Sequence, residues 1–294
     1  MHTRTIGQTT VSAIGLGGMP LSIEGRPDDR AAAIATIHAS LDAGVRLIDT
    51  ADAYHLAGHV DDEEVGHNES LIAEALRSWS GDTDDVLVAT KGGHTRSLPD
   101  SWEQDGSPEH LRAACEASLR RLGVDAIGLY QYHRPDPAVP YEDSVGTLRD
   151  LLDEGKIRQA GISNANPEQI RQAQDILGGR LASVQNQYSP AFLSSRPELE
   201  LCSELGIAFL PWSPLGGISK ASDLGSTYAV FQQVADELDA SPQQVTLAWM
   251  LATSPVVVPI PGSSRPETAR SSAAATDLEL SADQQSRLDL ATGV

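Results

Sequence analysis

The chain has 294 residues, of which 41 are acidic and 21 are basic, so its formal net charge is −20. This charge argues against nucleic acid or an anionic membrane as a partner, because both attract basic surfaces. No stretch approaches the roughly 18 apolar residues of a membrane-spanning helix, and the opening MHTRTIGQTT lacks the apolar core of a signal peptide. We therefore expect a cytoplasmic protein.

Short apolar runs alternate with segments of helical periodicity, which is the pattern of βαβ units and a parallel sheet. Eight units fit, with predicted strands at residues 13–16, 45–48, 86–89, 127–131, 157–162, 183–187, 207–210 and 256–259. The predicted helices follow at residues 30–43, 68–79, 108–122, 141–154, 167–177, 196–205, 229–238 and 266–274. This order predicts an α/β fold, a (β/α)8 TIM barrel in which residues 1–294 form a single domain.

Further elements are predicted outside these eight units. Residues 3–11 predict an N-terminal hairpin, and residues 242–252 and 282–290 predict two extra helices. Three connections are long, and loops of that length at the rim of a barrel usually carry function. We expect them to shape the substrate pocket; they cover residues 55–67, 92–107 and 216–228. Cys115 and Cys202 fall inside predicted helices, which indicates reduced structural thiols.

Four residues whose side chains can take part in catalysis follow the predicted strands. Asp49 follows VRLI, Tyr54 comes five residues later, Lys91 follows VLVAT, and His133 follows IGLYQY. In a (β/α)8 barrel the C-terminal ends of the strands meet at one rim, so residues distant in sequence converge there. The spacing therefore predicts an acid, a phenol, a cation and an imidazole at one site.

These side chains suit the reduction of a carbonyl by hydride, which needs a proton donor at the oxygen and a polarising donor beside it. A free tyrosine, with a pKa of about 10, is a poor acid near neutrality. A nearby ammonium stabilises phenolate, so we expect Lys91 to lower the pKa of Tyr54. Asp49 would hold Lys91 charged and oriented. A neutral His133 can donate one hydrogen bond to the carbonyl oxygen.

At these residues the chain resembles the aldo-keto reductase superfamily, from about Thr5 to about Leu290. Seven ordered segments carry the resemblance: GVRLIDTADAY, VLVATKGG, LYQYHRPDP, GKIRQAGISN, SVQNQYSP, FLPWSPLGG and VPIPGSSRPETAR. The resemblance implies a barrel whose hairpin closes the lower end, and an NADP-dependent oxidoreductase. It also implies a catalytic tetrad, matched by Asp49, Tyr54, Lys91 and His133. Around GLGGMPLS the chain resembles bacterial pyridoxal reductases.

The resemblance further implies a cofactor extended across the mouth of the barrel. Ser163, Asn164 and Gln185 match positions that bind the carboxamide, and Trp212 matches an aromatic residue that stacks on the nicotinamide. The pyrophosphate would be lined by Ser213, Leu215 and Gly216. Trp212 alone could be an ordinary core residue, but the SPLG segment that follows it favours the functional interpretation.

The run GSSRP predicts an anion site, because small residues and hydroxyls directly before a helix leave backbone N–H groups for a phosphate. It matches the family's adenosine-phosphate segment through Gly262, Ser263, Ser264 and Arg265. We expect the two serines and Arg265 to bind the 2′-phosphate, so the expected cofactor is NADPH (NADP+). Alternatively, Arg265 is an ordinary exposed loop arginine. Many relatives carry Glu-Asn near the helix end, where this chain has Ser271-Ser272, so the adenine contacts stay open.

The expected substrate is a small-molecule aldehyde or ketone. Candidate pocket residues form an aromatic-rich set that suits many carbonyls: Met19, Tyr54, His55, His94, Trp102, Phe192 and Trp212. The sequence identifies neither the substrate nor the oligomeric state.

Two other kinds of site are less well supported. The run Gly15-Leu16-Gly17-Gly18 begins like a dinucleotide fingerprint, but Pro20 stands at the third glycine position and no helix is predicted there. The other is a metal site, suggested by His55, His59 and His67 among Asp61, Asp62, Glu63 and Glu64. Their spacing fits no regular zinc motif, and a solvated acidic loop explains the run as well.

Two alternative functions stay open. Lys91 lies at a predicted strand end and could form an imine if its pKa were lowered, as in a Schiff-base lyase. Some aldo-keto reductase relatives bind the cofactor mainly to regulate another protein. Turnover of simple aldehydes would argue against that regulatory function, and borohydride trapping of an adduct would support the lyase.

Overall fold

The structure is a computed structural model that describes residues 1–23, 29–55, 65–96, 101–217 and 221–293. In this part of the chain the strands are short, as expected for a tightly curved parallel sheet with a hairpin added. They are β1 (Thr3–Ile6), β2 (Thr9–Ser12), β3 (Leu16–Gly17), β4 (Leu47–Asp49), β5 (Leu87–Gly92), β6 (His94–Thr95), β7 (Glu103–Gln104), β8 (Leu129–Tyr132), β9 (Ala160–Ser163), β10 (Leu181–Gln185) and β11 (Ala208–Phe209).

The helices lie close to their predicted positions. They are α1 (Arg30–Asp42), α2 (His67–Ser78), α3 (Pro108–Leu122), α4 (Tyr141–Asp153), α5 (Pro167–Ile176), α6 (Arg196–Leu205), α7 (Leu224–Thr227), α8 (Ala229–Glu237), α9 (Pro242–Thr253), α10 (Pro266–Ala274) and α11 (Ala282–Thr292). N-terminal capping explains where several of the helices begin. Asn166 and Ser241 each form a capping box before a proline in the first turn, which satisfies backbone N–H groups that the helix leaves unpaired.

Seven strands form one parallel sheet in chain order, from β3 through β4, β5, β8, β9 and β10 to β11. Successive side chains of a strand face opposite sides of the sheet, so Leu47 and Asp49 share one face, as do Leu87 and Lys91. Leu47, Leu87 and Leu129 pack together inside the barrel. Each inward stripe is therefore apolar at its lower end and polar at its carboxyl end.

Residues 256–262 complete the barrel between β11 and β3. Pro259 and Pro261 lack the backbone N–H that a strand ladder needs. Their carbonyl oxygens still accept hydrogen bonds from the backbone of Gly15 and Gly17. The predicted strand at residues 256–259 is therefore irregular, although it occupies the eighth position.

The hairpin of β1 and β2 lies under the barrel, in antiparallel register from Thr3–Ser12 to Ile6–Thr9. Its buried residues Ile6 and Val11 belong to the same apolar cluster as the inward side chains of the strands. The Gln159 amide also donates a hydrogen bond to Thr9 Oγ1 at 2.9 Å. The hairpin therefore closes the lower end, as the resemblance implied.

Both cysteines are buried and unpaired, and burial raises the pKa of each thiol to about 12. They lie in α3 and α6, where they pack in the layer between sheet and helices. Among the described residues, no helix is long and apolar enough to cross a membrane.

Candidate active site

Lys91 is the centre of the polar cluster at the upper rim. Its Nζ donates hydrogen bonds to Asp49 Oδ2 at 2.7 Å, to the Thr50 carbonyl at 2.8 Å and to the Tyr54 hydroxyl at 3.2 Å. These three contacts use all three N–H donors of the ammonium. The side chain of Lys91 is fully buried. The ammonium is therefore held in a single orientation.

Asp49 is fixed from its other side. Its Oδ1 accepts a hydrogen bond from Gln185 Nε2 at 2.8 Å and lies 3.4 Å from Gln131 Nε2. Gln131 and Gln185 project inward from β8 and β10, so two strands on either side of β9 orient one carboxylate. A buried carboxylate with this set of donors is oriented as the counterion of Lys91.

The pKa of Tyr54 beside Lys91 differs from the value expected from the sequence. Burial alone would lower the pKa of Lys91, but the charges of Asp49 and Tyr54 and their hydrogen bonds outweigh it, so the pKa is raised. Burial is also the largest influence on Tyr54 and raises its pKa; Lys91 opposes this, and Asp49 reinforces it. The expected lowering of the Tyr54 pKa is therefore wrong for this structure. The cause is desolvation, since the tyrosine is only 6% exposed.

His133 lies beside the phenol. Its ring packs edge-on against Tyr54, with centroids 5.8 Å apart. Burial, followed by the charge of Lys91, holds the pKa of His133 well below its ordinary value, so the imidazole is neutral. Its Nδ1 is buried and has no hydrogen-bond partner. Because an unpaired lone pair costs less than an unpaired N–H, this favours the tautomer with the proton on Nε2.

A second buried cluster of ionisable side chains lies near Lys91 and was missed by the sequence analysis. Glu69, from α2, accepts hydrogen bonds from Thr90 and from Arg121. Asp52 is buried near this pair, and its Oδ1 has no hydrogen-bond partner. Burial, with the charge of Glu69, raises the pKa of Asp52 to about 8. The spacing of these residues along the sequence gives no sign that they meet.

One large cavity, of about 890 Å³, opens above the cluster. Most predicted site residues line it: Asp49, Tyr54, His133, Ser163, Asn164, Gln185, Trp212, Ser213, Leu215, Gly262, Ser263, Ser264, Arg265, Met19, His94 and Trp102. Lys91 lies beneath the surface, behind Tyr54. His55, Phe192 and Gly216 are not among the described lining residues. The backbone carbonyl of His55 instead accepts a hydrogen bond from Arg96.

At one end of the cavity, the Trp212 indole is fixed by a hydrogen bond from its Nε1 to Asn164 Oδ1 at 3.2 Å. Asn164 in turn donates to the His133 carbonyl at 3.0 Å and to Ser163 Oγ at 3.0 Å. Asn164 and Ser213 both have positive φ, 57° and 50°, a conformation that is costly for residues other than glycine. Such strain is concentrated at functional sites, and here it aims both side chains at the cavity.

At the other end lies the N-terminus of α10. Its N-cap residue, Arg265, makes no side-chain capping bond, and Pro266 supplies no N–H. Ser263 Oγ and Thr268 Oγ1 hydrogen-bond each other and the Arg265 carbonyl. The N–H groups of the first turn therefore face an end of the cavity lined by Arg265, Ser263 and Ser264. Ser271 and Ser272 also line it.

The wall near Tyr54 is aromatic. Trp102 packs edge-on against Tyr54 and His94, with centroid distances of 6.5 and 5.5 Å, and the Arg96 guanidinium lies 4.4 Å from the Trp102 ring centroid. Gln104 and Arg134 also line the cavity, and sequence reasoning missed both. The position of Arg134, directly after His133, was the available signal.

The remaining predictions concern the long loops and the histidine-rich run. Each long loop includes residues outside the described part of the chain, namely residues 56–64, 97–100 and 218–220. The suggested metal residues His59, Asp61, Asp62, Glu63 and Glu64 also lie outside it. Among the residues that are described, no cluster of three or more His, Cys, Asp or Glu side chains could hold a metal ion.

Comparison with known proteins shows to which family the chain is similar. The sequence profile of the Aldo/keto reductase family matches residues 13–292. Pyridoxine 4-dehydrogenase of Escherichia coli is 33% identical over 298 residues, covering 98% of this chain and 97% of that protein. The 6-dehydroglucose reductase of Novosphingobium aromaticivorans is 38% identical over 263 residues, covering 86% of this chain and 82% of that protein.

A solved structure supports the same assignment. An aldo/keto reductase from Klebsiella pneumoniae, in complex with NADP and acetate, matches with a TM-score of 0.79 and 27% identity, covering 98% of this chain and 93% of that one. The barrel fold predicted from the sequence is thereby confirmed. With a family match over nearly its whole length, this chain belongs to the aldo/keto reductase family of oxidoreductases.

Proposed function

We propose that this protein is an NADPH-dependent reductase of aldehydes or ketones, with Tyr54 as the general acid. We also propose that residues 1–294 form one domain, which the family match over residues 13–292 supports. The observation that carries the function is the set of contacts at Lys91, because its ammonium bonds to both the Tyr54 hydroxyl and the Asp49 carboxylate. This arrangement serves proton transfer at the mouth of a cavity.

The residues present fit a dinucleotide. Trp212, held by Asn164, offers a fixed indole face at the end of the cavity near Tyr54. The uncapped N-terminus of α10 and Arg265 offer donors at the other end. The flat apolar ring at one end matches the nicotinamide. The hydrogen-bond donors at the other end match the anionic phosphate of the adenosine. NADP(H) is the cofactor of this family, and the Klebsiella pneumoniae relative is in complex with NADP.

When bound, NADPH supplies the hydride for the carbonyl carbon. Tyr54 donates its hydroxyl proton to the carbonyl oxygen, and Lys91 stabilises the phenolate that remains. His133 donates a hydrogen bond from Nε2–H to the same oxygen, which polarises the carbonyl and orients it. The product alcohol carries the hydride on carbon and the proton on oxygen, and Tyr54 regains a proton from water.

The contacts of Lys91 oppose the lyase alternative. An imine-forming lysine needs a neutral amine, which a lowered pKa supplies. Here the pKa of Lys91 is raised, and all three of its N–H donors are engaged. The ammonium is also shielded from the cavity by Tyr54.

A substrate panel tests the proposal. NADPH oxidation is followed with benzaldehyde, pyridoxal and several ketones, and we expect turnover with at least one aldehyde. NADPH binding without turnover of any carbonyl would contradict the reductase and support the regulatory alternative. Borohydride trapping of a covalent adduct with Lys91 would instead support a lyase.

A further inference from the structure

Arg134 follows His133 and lies at the substrate end of the cavity. It also lines a neighbouring surface cavity of about 530 Å³, so its side chain lies on the wall that the two cavities share. The tetrad chemistry described above does not use this residue. A cation beside the reacting group therefore needs a separate explanation.

The guanidinium is oriented by His94. His94 Nδ1 donates a hydrogen bond to the Glu103 carbonyl at 2.9 Å, which leaves Nε2 as an acceptor when the ring is neutral. Arg134 Nε donates to that Nε2 at 3.4 Å. The two terminal nitrogens of Arg134 make no hydrogen bond or ion pair with the described residues. They are not sealed off from solvent either, since neither is among the buried atoms without a partner.

The carboxylates that line the two cavities among the described residues already have partners. Asp136 lines the smaller cavity, but its two oxygens accept hydrogen bonds from the backbone of Ala138 and Gly106, at 2.8 and 3.0 Å. Asp49 is paired with Lys91. In a protein with a net charge of −20, a guanidinium in the catalytic cavity thus has no protein counterion among the described residues.

We propose that Arg134 binds a carboxylate carried by the substrate, so that the preferred substrates are aldehydes bearing a carboxylate. This inference rests on the proposed reductase function. The free edge of a guanidinium presents two parallel N–H donors, which match the two oxygens of a carboxylate. The ring of His94, 4.3 Å from that of His133 between centroids, separates the cation from the polarising imidazole. Since Tyr54, His94 and Arg134 line the same cavity, a substrate that extends past His94 can place its carboxylate at Arg134 and its carbonyl at Tyr54.

The test compares 4-carboxybenzaldehyde with methyl 4-formylbenzoate. The two probes have similar shape, but only the first carries a charge. The ester withdraws more electron density from the aldehyde than the carboxylate does, and this intrinsic difference is the same for every variant. We expect the wild type to prefer the carboxylate in kcat/KM, and Arg134→Gln to reduce the carboxylate-to-ester ratio by about 10 to 100-fold. The ratio cancels any effect of the substitution on the chemistry common to both probes.

Two further variants sharpen the comparison. Arg134→Lys keeps the charge without the two parallel donors and should retain an intermediate ratio. Arg196→Gln removes an exposed arginine that pairs with Glu200 and should leave the ratio unchanged. An equal carboxylate-to-ester ratio in wild type and Arg134→Gln would overturn the carboxylate site while leaving the reductase intact. If neither aldehyde is reduced while another carbonyl of the panel is, the carboxylate site fails and the reductase stands. If no carbonyl is reduced, both proposals fail.

Discussion

The ammonium of Lys91 donates a hydrogen bond to the Tyr54 hydroxyl at 3.2 Å. Both side chains are buried, and the pKa of each is raised. The phenol therefore keeps its proton at neutral pH, and the Lys91 ammonium lies next to the hydroxyl oxygen that becomes negative when the proton leaves. This combination suits an acid that gives up its proton only when a substrate oxygen accepts it.

Replacing Tyr54 by Phe should reduce kcat for carbonyl reduction by at least about 10² to 10⁴-fold, the range for loss of a general acid. Cofactor affinity should change only a few-fold, because the phenol belongs to the substrate end of the cavity. Single-turnover kinetics and a cofactor titration measure the two effects separately. A Tyr54→Phe variant that keeps a tenth of the wild-type rate of the chemical step would rule out the assignment.

Lys91→Met should be about as damaging as Tyr54→Phe, and Asp49→Asn should be milder because the carboxylate acts through the lysine. Breaking a buried pair also costs about 3–5 kcal/mol of stability by leaving Asp49 unpaired. The double variant Lys91→Met with Asp49→Asn removes that unpaired charge. We therefore expect the double variant to regain stability in thermal unfolding without regaining activity. Recovery of both would show that Lys91 acts only in folding.

Because the pKa of Tyr54 is raised, we expect the rates of carbonyl reduction and of alcohol oxidation to change with pH in opposite ways. Reduction needs the phenol, so its chemistry-limited rate should stay level through neutral pH and fall only above the raised pKa. Alcohol oxidation needs the phenolate, so its rate should increase as pH approaches that value. In Lys91→Met the increase in the oxidation rate should move to higher pH, because the ammonium that opposes the raised pKa of Tyr54 is gone. An unmoved profile would mean that the lysine does not influence the tyrosine.

Much of the site could be predicted from the sequence because it depends on strand ends. Asp49, Lys91 and His133 continue inward-facing stripes of alternating residues, and their convergence follows from the barrel. The direction of the Tyr54 pKa shift could not be predicted, since it depends on how completely the loops and helices exclude water. The group around Asp52 and Glu69 was missed for the same reason, as it exists only where α2 and α3 pack against β5.

Asp52 should make stability depend on pH. The folded state holds its proton up to a pKa of about 8, whereas the unfolded chain releases it near the ordinary value of 3.8. Between these values the folded state binds more protons, so stability decreases as pH rises from about 4 to 8. Asp52→Asn should therefore raise Tm at pH 8 by about 2–4 °C per kcal/mol gained, and have little effect at pH 4. The exposed Asp125→Asn is the matched control; equal shifts for both variants would contradict this assignment.

Arg265 should determine the preference for NADPH over NADH. It is exposed at the start of α10, and together with Ser263 and Ser264 it lines the end of the cavity that suits the 2′-phosphate. Because the whole protein is strongly acidic, local donors must supply the attraction for this dianion. Charge-assisted hydrogen bonds contribute about 1.5–3 kcal/mol each, so Arg265→Ala should weaken NADPH binding roughly 10 to 100-fold and hardly change NADH.

Arg270→Ala is the control for Arg265, since Arg270 is exposed on the same helix but is not among the described lining residues of the cavity. Fluorescence titration of both cofactors against wild type and the two variants measures the six affinities that are compared. The Arg270 variant should bind both cofactors like the wild type, because a charge outside the cavity is screened by solvent and salt. Equal losses of NADPH and NADH in Arg265→Ala, or a wild type that already favours NADH, would show that the 2′-phosphate is not recognised at this helix.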